Sequence, residues 1–334
     1  MLQSEHKNGG IQVWLTICLL MIVVSFSTTS CGRKGHYPVE IHRFEQLLFK
    51  TDEANLHHAL KQHRKEYDSR LLNVMPDDEL YMQELYGFVS DEQMQDVYRL
   101  TDSMYHDLSW LEFDLGRALS ILHEKDSSIA PKRFYTMVTG DYSNYDRRVF
   151  CYDDDVVISI DHYILPQLQR ERNYGIPNYI VNLCRKEYIV SDCIAEIVRA
   201  HTSVDEENMT MLDYMIAEGK ALYTTSVAIP DVEDTILFRY TLSQLKWMKE
   251  SEGSVWAWFI QNNLLFSTDW FQFHNFVDDA PKTNSFGEGS APRTTGYIGY
   301  KIVEAYMKNT KSSISDLLPE PDSRAILQKS SYRP

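Results

Sequence analysis

The chain has 334 residues, of which 43% are hydrophobic and 12% aromatic. This is too apolar for a disordered protein, and it is enough for one large core or two modest ones. The formal net charge of -15 repels nucleic-acid phosphates, and no basic stripe with interleaved aromatics offsets it. Composition therefore argues against nucleic-acid binding.

The N-terminus carries a charge-free apolar run over residues 11–26, preceded by Lys7. The run is short for a membrane span but suits the core of a signal peptide. Small residues, Thr28, Thr29 and Ser30, then directly precede Cys31, which is the pattern of a lipobox. The alternative is an ordinary signal peptide that is cleaved near a cysteine, since an aliphatic residue is usual at the position of Thr28.

The lipobox interpretation predicts a signal peptide over residues 1–30, lipid attachment at Cys31, and a lipidated tether over 31–40. Two acyl chains give a stable anchor, where one chain would be marginal. The sequence thus predicts an envelope lipoprotein whose partner is a membrane, the inner or the outer one. No acidic run follows Cys31, which favours the side facing the periplasm.

The mature chain begins with apolar residues at helical spacing, and the spacing of its apolar residues changes near residue 131. A short extended segment leads into an amphipathic helix over 39–52, a solvated helix follows over 53–70, and residues 91–124 form one long helix or a helical hairpin. Three segments rich in β-branched and aromatic residues are predicted as strands, and helical patterning then returns. The strands are 133–140, 148–155 and 156–164, and the later helices are 178–201, 209–223, 235–250, 254–265 and 297–308.

This order predicts an α+β fold, mostly helical, with a small antiparallel or mixed sheet before the central helices. We divide it into an N-terminal helical region, 41–130, and an α+β region of zincin-like type, 131–334, which form one compact unit. Histidines 57, 58 and 63 in the early helix raise the possibility of a metal-sequestering surface. His58 and His63 are five residues apart and so lie off one helical face, which favours solvated surface histidines.

The central helices carry half of a zinc-hydrolase pattern. An HExxH helix places two histidines one turn apart with a glutamate base between them, and some of these enzymes take a third ligand from a following helix. On that template His201 fills the second histidine position and Glu218 the third-ligand position. Ile197 replaces the first histidine and Val198 replaces the base. His162, after the last strand, is the best outside donor, and His274 is a weaker one.

Two interpretations of this pattern remain open. One His and one Glu cannot close a zinc tetrahedron without two further donors, which favours a degenerate, non-catalytic site without a cofactor. In that case His201 bonds a nearby carbonyl or carboxylate at the helix end, and Glu218 pairs with Lys220 or Arg199. The alternative is a metal-dependent peptidase with an atypical zinc site that uses His201, Glu218 and another ligand.

A Gly/Pro/Ser-rich segment over 278–296 is long for a loop in a compact domain, and such loops often bind ligands or are disordered. If the cleft of a zinc hydrolase persists, this segment borders it. Arg293 would then hold an anionic or peptide group, with Tyr297 or Tyr300 in contact. A solvent-exposed arginine and core-packed tyrosines are the simpler alternatives.

Several stretches of the chain resemble one known family, the GldB gliding-motility lipoproteins of Bacteroidetes. They are "IHRFEQLLF", "VVISIDHYI", "LDYMIAEGKALY", "EGSVWAWFIQNNLLFSTD" and "FGEGSAPRTTGYIGYKIVEAYM". The family is itself similar to predicted zinc-protease families with an HExxH…EGxA pattern. The resemblance implies a lipid-anchored scaffold or binding component of an envelope machinery, with protein partners in the envelope, and it supplies no catalytic residue.

Overall fold

A computed structural model describes residues 36–142, 148–172, 174–203 and 208–334. Residues 38–334 pack as one unit. The predicted signal peptide, Cys31 and the first half of the tether lie outside the described residues, so the lipid anchor stays a prediction from the sequence.

The strands form a four-stranded mixed sheet in the order β1-β2-β4-β3. Strand β1 pairs in parallel with β2, β2 pairs in parallel with β4, and β3 pairs antiparallel with β4. All five residues of β4 are buried, as expected for a central strand that is covered on both faces. The bounds are Ile41–Arg43 for β1, Arg133–Met137 for β2, Val149–Tyr152 for β3 and Asp155–Ser159 for β4.

Helices make up most of the rest of the described chain. In chain order they are α1 Phe44–Lys50, α2 Glu53–Gln62, α3 Glu79–Ser90, α4 Glu92–Met104, α5 Ser109–Lys125, α6 Leu165–Glu171, α7 Asn178–Val181, α8 Ile189–Ala200, α9 Met211–Ala228, α10 Asp234–Leu237, α11 Leu242–Gln261, α12 Trp270–Val277, α13 Thr294–Thr310, α14 Ile314–Leu317 and α15 Ser323–Ser330. The predicted α+β class, mostly helical with a small sheet before the central helices, is confirmed.

Several element bounds differ from the sequence prediction. The last predicted strand ends at Ser159, and Ile160–Ile164 continue as a 3₁₀ turn. Two predicted helices between 235 and 265 are instead the short α10 and the long α11, which runs through Gly253. Helix α3 was not predicted, although Asp78 caps it by accepting hydrogen bonds from the amides of Leu80 and Tyr81.

Helix α9 begins where its sequence dictates. Thr210 accepts a hydrogen bond from the amide of Asp213, and the Asp213 carboxylate accepts one from the amide of Thr210. This reciprocal capping box satisfies two of the amides that a helix start leaves unpaired. It fixes the first turn of the helix that carries Glu218.

Helices α9 and α13 cross at a glycine-to-glycine contact. A methyl group built on Gly219 would lie 2.3 Å from the carbonyl carbon of Gly299, and one built on Gly299 would lie 1.8 Å from the carbonyl oxygen of Met215. The two backbones therefore touch directly, which only residues without a Cβ permit. A buried hydrophobic cluster surrounds this crossing, with Met215, Ile298 and Ile302 among its members.

A second cluster packs helices α1 to α3 against the sheet through residues such as Phe44, Leu56 and Tyr135. None of the helices in the described part of the chain is long and apolar enough to cross a membrane.

Candidate functional site

His201 lies directly after the last turn of α8, where it is the C-cap residue. Its Nδ1 donates to the carbonyl oxygen of Ile197, one turn earlier, at 2.8 Å. A histidine that closes a helix end in this way has one ring nitrogen committed to the backbone, and only Nε2 remains for another partner.

Glu218 on α9 is held by two arginines from different elements. Arg199 on α8 donates from Nη2 to both carboxylate oxygens at 3.0 Å and from Nε to Oε2 at 3.2 Å. Arg293 donates from Nη2 to Oε1 at 2.6 Å. Burial by itself would raise the pKa of the Glu218 carboxyl, but the positive charges of Arg199 and Arg293 outweigh it and lower that pKa. The carboxylate is therefore ionised and has donors on both oxygens.

Lys220, two residues further along α9, does not pair with Glu218. Its ammonium group donates to the carbonyl oxygens of Leu318 at 3.2 Å and Glu320 at 2.6 Å. The residue is only 2% exposed, and burial lowers the pKa of its amine to about 8. Lys220 therefore ties α9 to the segment after α14, on a different side of the helix from Glu218.

Arg293 occupies a left-handed backbone conformation, with φ of 48°, immediately before α13. Besides Glu218 it faces Asp279, whose Oδ1 lies 3.6 Å from its Nε. The guanidinium is thus enclosed by two carboxylates of its own chain. Tyr297 is buried, packs on Phe238 with ring centroids 5.0 Å apart, and donates to Glu252 at 3.4 Å. Tyr300 also packs on Phe238.

Arg199, Glu218 and Arg293 line a cavity of about 350 Å³. We call it the Glu218 cleft. It lies between α8, α9, the end of α12 and the start of α13, and neither Tyr297 nor Tyr300 is among the described residues that line it. The lining residues are Arg199, Thr202, Tyr214, Ala217, Glu218, Val277, Arg293, Thr295 and Gly296.

His162 lies in the 3₁₀ turn after β4 and is only 2% exposed. Its Nε2 lies 3.0 Å from the carbonyl oxygen of Asp141 and 3.3 Å from Oγ1 of Thr139, while its buried Nδ1 makes no hydrogen bond to any residue that the structure describes. Burial lowers the pKa of the imidazole even though the neighbouring Asp161 acts in the opposite direction. His162 is therefore a neutral, enclosed side chain.

The other candidate histidines lie elsewhere. His274 contacts the carbonyl of Trp270 on its own helix. His57 and His58 are exposed, and His63 pairs with Glu66 at 2.9 Å. In the described ranges, no three His, Cys, Asp or Glu side chains are arranged to hold a metal ion.

The family assignment follows from a comparison with protein-family models. The model described as gliding motility protein GldB matches residues 32–334. The chain belongs to the GldB family. This is a family of gliding-motility lipoproteins, which indicates a cell-envelope protein that associates with a membrane and with protein partners. No curated protein and no solved structure matches the chain.

Tyr214 is one of several residues that line the cleft of this GldB-family chain without having been predicted as site residues. It lies four residues before Glu218 on α9, so the helical period alone places both side chains on one face. Its ring packs against Trp270 at 5.2 Å and Phe273 at 5.5 Å. The helical period was therefore a usable signal for Tyr214, whereas nothing in the sequence links Val277 or Thr295 to this cleft.

Proposed function

We propose that this GldB-family protein is a non-catalytic binding component of an envelope machinery. The observation that carries the proposal is the double ion pair of Glu218. A zinc ligand must offer a free lone pair to a cation, but both oxygens of Glu218 accept hydrogen bonds from Arg199 and Arg293. A zinc ion at that carboxylate would face two guanidinium charges at close range, which repel it.

The neighbouring groups support the same proposal. Ile197 and Val198, which stand in the positions of the first histidine and the general base, are fully buried aliphatic side chains. Neither has an atom that would hold a metal or deprotonate water. His201 would have to give up its bond to Ile197 or use Nε2 alone.

The Glu218 cleft fits an extended segment of a protein partner. Its volume is in the range of small ligand pockets, and its wall combines the ion pair with the apolar faces of Tyr214 and Val277. Tyr214 packs on Trp270, and the next residue on α12, Phe271, is 84% exposed. Exposed aromatic side chains that continue from a cleft are typical of protein-binding surfaces. A partner segment would place an apolar side chain in the cleft and cover these aromatics.

The membrane anchor completes the proposal. Acyl chains on Cys31 would tether the protein to the periplasmic side of the inner or outer membrane after removal of residues 1–30. Palmitate labelling of wild-type cells and of a Cys31→Ser strain tests this part. Label and membrane association should both be lost in the variant, and retention of either would contradict lipid attachment at Cys31.

Metal analysis separates this proposal from the peptidase alternative. Purified full-length protein should contain substoichiometric zinc after dialysis against zinc, and His201→Ala should leave that content unchanged. One equivalent of zinc that is lost in His201→Ala would overturn the non-catalytic proposal.

Complementation of cells that lack the protein tests the role of the cleft. Ala217 lines the cleft and is partly exposed, so Ala217→Phe would fill the cavity without adding charge. We expect His201→Ala to restore the phenotype and Ala217→Phe to fail at equal protein level. Restoration by Ala217→Phe would show that the cleft has no part in the function.

A further inference from the structure

A second cavity has Arg199 in its lining, in common with the Glu218 cleft. It has a volume of about 40 Å³, which exceeds what one water molecule needs and suits a small group of two or three heavy atoms. Three arginines and two carboxylates line it. The polar lining residues that matter here are Arg148, Asp192, Glu196, Arg199, Thr225 and Arg239.

Arg239 lines this cavity, and two of its three guanidinium nitrogens make no hydrogen bond to a described residue. Its side chain is 15% exposed, and Nη1 lies 3.7 Å from Oδ1 of Asp192, too far for a hydrogen bond. Its Nε and Nη2 are buried and have no hydrogen-bond partner among the described residues. A buried guanidinium edge without an acceptor is energetically costly, which indicates that an acceptor belongs there.

Asp192 is already engaged and does not supply that acceptor. Its Oδ2 accepts from Nε of Arg148 at 3.2 Å and from the hydroxyl of Tyr163 at 2.8 Å. Thr225 on α9 adds a second unused donor, because its hydroxyl is fully buried and no residue in the described part of the chain bonds to it. Two independent side chains that line one cavity therefore lack an acceptor.

We propose that this cavity binds a carboxylate group. The Nε and Nη2 of a guanidinium lie side by side on one edge, and two carboxylate oxygens match that edge in a bidentate pair. Thr225 would donate a further hydrogen bond. Arg148 pairs with Asp192, and Arg199 pairs with Glu196 and Glu218, so among the described lining residues Arg239 is the arginine that keeps donors for a further acceptor. A carboxylate group has three heavy atoms and suits a cavity of this size, whereas the five heavy atoms of phosphate exceed it.

This site goes beyond the proposed function, because Arg199 is the only described residue that lines both cavities, and the site needs neither the partner segment nor the lipid anchor. Its ligand would be the carboxylate end of a peptide or of a small organic acid. The cavity has room for the carboxylate itself, and the remainder of the ligand would extend out of it.

Acetate is the probe for the test, with the full-length protein in detergent at constant ionic strength. Ligand-observed NMR gives its dissociation constant for the wild type and three variants. Arg239→Gln removes the guanidinium and should weaken acetate binding about tenfold or more. Thr225→Val is isosteric and should weaken it about fivefold. Arg64→Gln is the matched control, since Arg64 is an exposed arginine that pairs with Asp77 away from the cavity, and it should bind acetate like the wild type.

Acetamide and inorganic phosphate define the chemistry. Acetamide has the size of acetate without its charge and should not bind, and phosphate should bind more weakly than acetate. The proposal is overturned by an absence of saturable acetate binding, by equal binding of acetamide, or by tighter binding of phosphate. It is also overturned if Thr225→Val binds acetate as the wild type does, a result that stays informative even if Arg239→Gln fails to fold.

Discussion

Gly299 gives the sharpest test of the helix crossing beneath the Glu218 cleft. In the change Gly299→Ala, the new methyl carbon would lie 1.8 Å from the carbonyl oxygen of Met215, while real Cβ contacts are essentially never shorter than 3.0 Å. Helices α9 and α13 must therefore move apart by more than 1 Å. The methyl carbon is attached directly to the main chain and the atom that it meets is a backbone oxygen, so no rotation of a side chain relieves the overlap.

Steric strain at the crossing lowers the stability of Gly299→Ala, and the higher helix propensity of alanine raises it. A radial gap of 0.5–1 Å already forfeits roughly a quarter to a half of the dispersion energy across an interface, and overpacking costs about 1–3 kcal/mol. We take about 3 kcal/mol here, because the overlap is with main chain. Alanine is about 1 kcal/mol better than glycine inside a helix. The net expectation is a loss of about 2 kcal/mol in the free energy of unfolding, or roughly 3 °C in Tm for a unit of about 300 residues.

Gly253 is the matched control. It lies inside α11 and is exposed, and a methyl group there would meet nothing closer than the carbonyl oxygen of Pro334 at 3.6 Å. Gly253→Ala should therefore raise the free energy of unfolding by about 0.5–1 kcal/mol, because only the helix propensity changes. Denaturant unfolding followed by circular dichroism measures both variants. If Gly299→Ala is as stable as Gly253→Ala, the two backbones do not touch and our account of the crossing is wrong.

Three further predictions concern buried ionisable groups. Glu218→Gln should lower the free energy of unfolding at neutral pH by about 2 kcal/mol, less than for a fully buried pair because Arg199 is 39% exposed. The loss should be full above pH 4.5, the ordinary carboxyl value, and should disappear only as pH falls further through the lowered pKa of the native carboxyl; an equal loss in strong acid would contradict the lowered pKa. The pKa of His162 is lowered from 6.5, so below pH 6.5 the imidazole binds a proton in the unfolded chain but stays neutral in the native protein. Wild-type stability should therefore fall from pH 7 to pH 5 more steeply than the stability of His162→Gln. Parallel curves for the two proteins would refute this. The amine of Lys220 has a native pKa of about 8 against an ordinary 10.5. The free energy of unfolding of the wild type, relative to Lys220→Met, should therefore rise between pH 8 and 10 by up to about 3 kcal/mol. If this difference does not change with pH, the amine is not desolvated.

The fold class was predictable because period and composition are local properties. The change from helical spacing to segments rich in β-branched and aromatic residues predicted strands β2, β3 and β4. The capping box at Thr210 is a local sequence feature that fixes the start of α9. The break predicted near Gly253 was wrong for a tertiary reason. Leu245, Met248, Val255 and Phe259 are all buried along α11, and that packing outweighs the helix penalty of one glycine.

The candidate site was predictable only in part. The helical positions of His201 and Glu218 followed from spacing, and an ion pair with Arg199 was one of two open alternatives for Glu218. The second arginine on that carboxylate, Arg293, lies 75 residues away in sequence. A single sequence contains no signal for such a contact, since it depends on how α13 crosses α9.

The sequence by itself determined that two central helical segments carry His201 and Glu218, with aliphatic residues at positions 197 and 198. Local chemistry is sufficient for this, because aliphatic side chains at Ile197 and Val198 bind no metal in any fold. Only the tertiary structure decided what the remaining glutamate contacts. The glycine crossing brings the start of α13 against α9, and Arg293 then reaches Glu218 together with Arg199. The same packing directs Lys220 to the carbonyls of Leu318 and Glu320, because side chains two positions apart on a helix point to different neighbours.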